Sequence, residues 1–126
     1  MNYLLLKNTP KVDYSFNLSD DMVSRIDRFQ TYHEQSRVEK VVYLARLFQA
    51  VNPSPQQIEI TRDLLAPKVR TKRTSNLLPG DIVDLIRKVA TQYEISYIAA
   101  LDLILIYGFR YTKDYSLDVV LTKTKP

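Results

Sequence analysis

Tyr14-Ser15-Phe16-Asn17-Leu18-Ser19-Asp20-Asp21 and, sixty residues on, Thr74-Ser75-Asn76-Leu77-Leu78-Pro79-Gly80-Asp81 are the stretches on which the reading of this chain turns. Slid against itself by 60 residues, the sequence aligns Tyr14–Gln49 with Thr74–Phe109 without a gap. Eight positions are identical: Ser15/Ser75, Leu18/Leu78, Asp21/Asp81, Val23/Val83, Ile26/Ile86, Thr31/Thr91, Glu34/Glu94 and Ser36/Ser96. Average amino-acid usage would give about two. Apolar residues also correspond at Met22/Ile82, Phe29/Val89, Val38/Ile98, Val41/Leu101 and Leu44/Ile104. A pattern that persists over a whole unit argues for duplication.

Each unit reads as a short strand, a helix, a tight turn and a second helix. In Tyr14–Leu18 large apolar residues alternate with small polar ones, the period of a half-buried strand. Ser19 is placed to cap a first helix whose opening turn holds Asp20 and Asp21, acids that suit the positive end of the helix dipole. Met22, Ile26 and Phe29 give that helix one apolar face. Ser36 with Glu39 three residues later forms a capping box for the second helix, which Asn52-Pro53 stops. In the second unit Pro79 is expected at the first helical position. Ile82, Leu85, Ile86 and Val89 form the next stripe, and Ser96 caps the last helix. That helix, with Ile98, Leu101, Leu103, Ile104, Leu105 and Ile106, is apolar nearly all round, which implies burial on several sides and association with further copies.

A strand of this length needs a partner. The economical arrangement pairs the strands of the two units, antiparallel, over four helices. A strand ending in Leu18-Ser19-Asp20-Asp21 or Leu78-Pro79, then an amphipathic helix, then Ser36-Arg37-Val38-Glu39 opening a second one, resembles the ribbon-helix-helix family of MetJ-, Arc- and CopG-like proteins. Two motifs in one chain is similar to the arrangement in TraY. The resemblance covers about 76 of 126 residues, taken as two segments of roughly equal length. The expected fold is mainly α with a short two-stranded antiparallel β-ribbon, tandem ribbon-helix-helix repeats forming an intramolecular pseudo-dimer. Within one domain, 13–51 is the first repeat, 52–72 a basic linker with a short helix, 73–111 the second repeat and 112–126 a C-terminal strand or tail. Tyr3–Lys7 and Leu117–Thr122 read as extra terminal strands.

The resemblance implies a ribbon in the major groove, where base edges distinguish all four pairs. Its outward residues would then contact bases: Ser15 and Asn17 from the first unit, Arg73 and Ser75 from the second. Asn17 can pair bidentately with adenine and Arg73 with guanine, whereas Leu77 can at most touch a thymine methyl and Asp13 is unwelcome beside phosphates. Phosphates would meet the N-termini of the second helices, at Ser36 with Arg37 and Lys40, and at Ser96 with Tyr97. Lys68, Arg70 and Lys72 lead into the second strand and would add to those contacts.

Charge agrees with this reading. The net charge is +4. The segment Arg62–Arg73 supplies all of it, through Arg62, Lys68, Arg70, Lys72 and Arg73 against Asp63 alone, a patch suited to a polyanion. There are no cysteines, which rules out disulfides and thiolate metal sites, and only two glycines, too few for a Gly-rich phosphate loop. The single histidine, His33, has no neighbouring ligands and reads as a surface residue. No nucleophile-base constellation is visible, so the expectation is a protein that is not an enzyme and needs no cofactor or metal. Nothing in the sequence approaches membrane-spanning length, and the cytoplasm is the expected location. The expected partner is double-stranded DNA, bound sequence-specifically by a transcriptional repressor or a plasmid or phage maintenance protein, with self-association on the DNA. The alternative is a protein-interaction module, antitoxin-like or an assembly adaptor, holding a protein partner through its terminal strands and last helix. Tyr107, Phe109, Tyr111 and Tyr115 suit base stacking or, more ordinarily, a core.

Overall fold

A computed structural model of the chain describes residues 11–29, 35–71 and 74–114. In strand β1 (Lys11–Phe16) the face of Val12, Tyr14 and Phe16 passes from exposed through half-buried to buried. Ser19 then ends the extended run. Its hydroxyl accepts from the Met22 amide at 3.1 Å and starts helix α1 (Asp20–Arg28), which buries Met22, Val23 and Ile26.

Ser36 opens helix α2 (Arg37–Val51) with both halves of the capping box: the Glu39 amide donates to Ser36 Oγ at 3.2 Å, and the Ser36 amide donates to Glu39 Oε1 at 3.0 Å. Ser36→Ala removes one half outright and should cost about 1 kcal/mol. A urea titration should show this as a lower midpoint with an unchanged slope. Asn52 ends α2 in the left-handed region, at φ 51°.

A 3₁₀ turn (Pro55–Gln57) and a one-turn helix α3 (Arg62–Leu65) lead to strand β2 (Thr74–Pro79). Helices α4 (Gly80–Tyr93) and α5 (Tyr97–Tyr111) follow. Pro79 is the residue before the helix and the last of β2, one position earlier than the expected first helical place. β1 and β2 run antiparallel, with Ser15 opposite Ser75, Tyr14 opposite Asn76, and Asp13 opposite Leu77.

The core lies between helices. α2 packs on α5 through Leu44, Ala45, Leu101, Ile104 and their neighbours, all buried. Each fully buried Leu or Ile contributes about 1.5–3 kcal/mol, so this helix pair carries most of the fold. The helices approach closely because Gly108 lacks a side chain: a Cβ there would lie 2.7 Å from the Leu44 carbonyl oxygen.

The expectation of tandem ribbon-helix-helix repeats closed into a pseudo-dimer on a β-ribbon is overturned. Among the described residues there are five helices and one short strand pair, and the two halves are not equivalent. α4 packs chiefly on α5 but also against both strands, whereas α1 packs chiefly on α2. α1 has 9 residues and α4 has 14. β1 spans Lys11–Phe16, while a 60-residue shift of β2 would place it three positions later. The physical reason lies in the duplicated positions. Where the first unit has Val42, Arg46 and Phe48, the second has Asp102, Ile106 and Gly108, so α2 and α5 cannot make equivalent contacts.

The burial expected of α5 on several sides is met within the chain. Residues 99–105, Tyr107 and Gly108 are buried within the chain, and Ile98 and Ile106 pack against the same core. The apolar surround that suggested association is consumed by α2, α3 and α4. The proposed terminal strands, His33 and Tyr115 lie outside the described residues. No single helix among the described residues is long and apolar enough to cross a membrane.

Candidate nucleic-acid interface

The basic segment before β2 is fastened to the fold. Lys68 Nζ donates to the carbonyls of Asp63, Leu64 and Ala66 at 2.7, 2.8 and 3.2 Å, satisfying acceptors that the end of α3 leaves open. The Val69 carbonyl accepts from the Asp20 amide at 2.9 Å. Thr71 donates twice to the Asp20 carboxylate, from its amide at 2.9 Å and its hydroxyl at 2.8 Å. Arg70 Nη1 donates to the Asn17 carbonyl at 2.6 Å, and Arg70 Nη2 to Asp102 Oδ2 at 3.1 Å. Residues 68–71 thus run along the start of α1 in a defined path.

At the start of α2, Arg37 holds Asp27 bidentately, Nε to Oδ1 at 3.0 Å and Nη2 to Oδ2 at 2.9 Å. That hydrogen bonding to Asp27 raises the Arg37 pKa above its usual value. Lys40 Nζ reaches the Asp27 carbonyl at 3.3 Å. Both cations are thus directed towards the end of α1, and the Ser36 hydroxyl caps its own helix.

The second helix start is more open. Ser96 caps α5 by accepting from the Ala99 amide at 3.1 Å, and Tyr97 beside it is 52% exposed. Burial raises the Tyr14 phenol above its usual range, the charge of Arg87 opposes that, and Tyr97 adds to it. Arg87, exposed on α4, pairs loosely with Asp84 at 3.8 Å. α4, which carries this loosely paired cation, packs on both strands. Arg87 escaped the sequence reading because nothing in its own helix marks it; the packing of α4 on the strands is a long-range feature.

Among the residues singled out from the sequence, Ser15 and Ser75 face each other across the strand pair, and Asn17 is exposed just beyond β1. Arg73 and Lys72 lie outside the described residues. Two buried charged groups were missed. Arg46, 8% exposed, reaches from α2 to the Asp81 carboxylate in the first turn of α4, with Gln49 beside both. Burial pushes Asp81 up, but the hydrogen bonds and charge of Arg46 outweigh it, leaving Asp81 below the usual carboxylate range. Asp102, 1% exposed, lies within α5 and pairs with Arg70; burial raises its pKa despite that partner. The signal for Asp102 was an acid alone in the run Leu101-Asp102-Leu103.

A cleft of about 760 Å³ opens between α1 and the 66–69 segment, walled by Asp20, Asp21, Arg25, Lys68 and Val69 with Ile106 at its side. Acids and bases alternate around it, and neither sign dominates. The aromatic residues near the end of α5 serve packing. Phe109 meets Phe29 edge to face at 5.5 Å beneath Arg25, and the Tyr107 hydroxyl accepts from the Glu59 amide at 2.9 Å. No protein-family model matches this chain, and neither a curated protein nor a solved structure does.

Proposed function

We propose that this protein binds double-stranded DNA, without catalysis, as a transcriptional repressor or a plasmid or phage maintenance protein does. The observation that carries the reading is the antiparallel pairing of β1 and β2, with α4, the helix of Arg87, packed on both strands. An extended strand pair is narrow enough for the major groove, and the amides at the N-terminus of α5 suit a phosphate. The excess of positive charge ahead of β2 adds long-range attraction to the same partner. In this reading Asn17, Ser15, Ser75 and Arg73 meet base edges, and Arg87, Ser96 and Tyr97 meet the backbone.

Selection of bound duplexes from a random pool, followed by fluorescence anisotropy over a salt series, tests it. Asn17→Ala or Arg73→Ala should cost about 1–3 kcal/mol on the selected duplex and relax one position of the consensus. Arg87→Gln should weaken selected and scrambled duplexes alike and lower the salt slope by roughly one. Lys68→Gln should change the slope less than Arg87→Gln, because its ammonium already serves three carbonyls. Duplex affinity that ignores all of these replacements would remove the reading.

A further inference from the structure

Arg70 is the residue at which three parts of the fold meet: the end of β1 through the Asn17 carbonyl, the middle of α5 through Asp102, and the segment leading into β2. Asp102 is an uneconomical partner on stability grounds. It is 1% exposed among Leu101, Leu103 and Leu105, and its Oδ1 has no hydrogen-bond partner among the described residues. The corresponding residue of the first unit is Val42, which is simply buried. An apolar residue would avoid the desolvation that a buried carboxylate incurs.

What the acid does supply is direction. A guanidinium is planar, so fixing Nη2 on Asp102 fixes where Nη1 points, and it points at the Asn17 carbonyl. The neighbouring bonds from Thr71 to Asp20 and from Asp20 to Val69 hold the same segment from the other side. We propose that Asp102 is a positioning residue for duplex recognition: through Arg70 it sets the place of Asn17 and the entry of the chain into β2. The inference rests on the duplex-DNA reading above.

Asp102→Asn is the informative variant because its two expected effects differ in sign. Losing an acid makes the protein more positive, which by itself tightens binding to any duplex. Loss of positioning weakens binding to the selected duplex only. The expected result is an affinity for the selected duplex about tenfold lower, with scrambled duplexes bound as well as before or better. The salt slope should not change, since Asp102 touches no phosphate. Arg70→Lys keeps the charge but cannot span both partners, and it should show the same selective loss; it decides the matter if Asp102→Asn does not fold by near-ultraviolet circular dichroism. Selected-duplex affinity equal to or above that of the parent in the folded variants overturns the inference and leaves duplex binding intact. A parent protein that binds no duplex at all overturns the duplex reading itself, and the inference with it.

Discussion

Arg70→Leu should cost the folded protein about 3–5 kcal/mol at neutral pH, because it leaves the Asp102 carboxylate buried without a partner. The pair is asymmetric, the Asp102 side chain being 2% exposed and that of Arg70 24%. Most of the cost therefore falls on the acid. Burial already holds the Asp102 pKa above the carboxylate range against the opposing effects of Arg70 and Lys68. Without Arg70 the burial acts less opposed and the folded-state value rises further. A carboxyl whose folded pKa is raised binds its proton more tightly in the folded state, so its contribution is best below the unfolded value and worsens as pH rises through the folded one. The deficit of Arg70→Leu should accordingly shrink as pH falls from neutral towards about 4. Asp102→Leu together with Arg70→Leu should recover most of the loss, since α2 carries Val42 at the corresponding place. Urea unfolding of the two single variants and the double at pH 7 and pH 5 measures the coupling. A small and pH-independent cost for Arg70→Leu would mean an ordinary surface ion pair. Asp81 provides the opposite sign in the same molecule: its folded pKa is lowered by Arg46, so its stabilising effect is present at neutral pH and is lost as pH falls through that lowered value.

Gly108→Ala should destabilise the protein by about 1–3 kcal/mol, although it replaces glycine by the best helix former. In an exposed helix interior the same change would stabilise by about 1 kcal/mol. The sign is reversed here because the new Cβ would meet the Leu44 carbonyl oxygen at 2.7 Å and the Leu44 Cβ at 3.1 Å. A backbone atom has no alternative rotamer, so α2 and α5 would have to move apart, loosening the packing of Leu44, Leu101 and Ile104. Thermal unfolding should show a midpoint lower by several degrees. A midpoint raised instead would show that the α2–α5 contact can yield at no cost.

Much of the local structure was legible because its causes are local. Ser19, Ser36 and Ser96 each precede an apolar stripe at helical spacing, and each caps the helix expected of it. The stop at Asn52 follows from the proline after it, which disfavours helix in the residue before it. The rest depended on residues far apart in sequence. Nothing near Arg70 indicates Asp102, 32 positions away, or Asn17, 53 away. Hence the basic linker is fastened at four successive residues, 68–71. The burial of α5 on several sides was legible, but periodicity cannot tell whether the covering surface belongs to the same chain. The repeat itself misled about symmetry. Matching apolar positions place the helices, whereas the unmatched ones, Arg46 against Ile106 and Phe48 against Gly108, decide how those helices pack. For the candidate interface, Ser15, Asn17 and Tyr97 were visible as strand and cap chemistry, and Arg87 was not.

The long-range packing has a consequence for how the chain holds together. β1 pairs with β2, α2 packs on α5, and Arg46 is bonded to Asp81, so the major contacts join residues before 52 to residues after 73. Between them, Ser54, Pro55, Gln56 and Gln57 are all exposed, and no buried residue lies in that turn. Covalent continuity at this loop is what keeps assembly of the two portions a first-order event. Opened there, the protein would become a pair of complementary fragments whose folding is a second-order association, with a midpoint that rises with concentration.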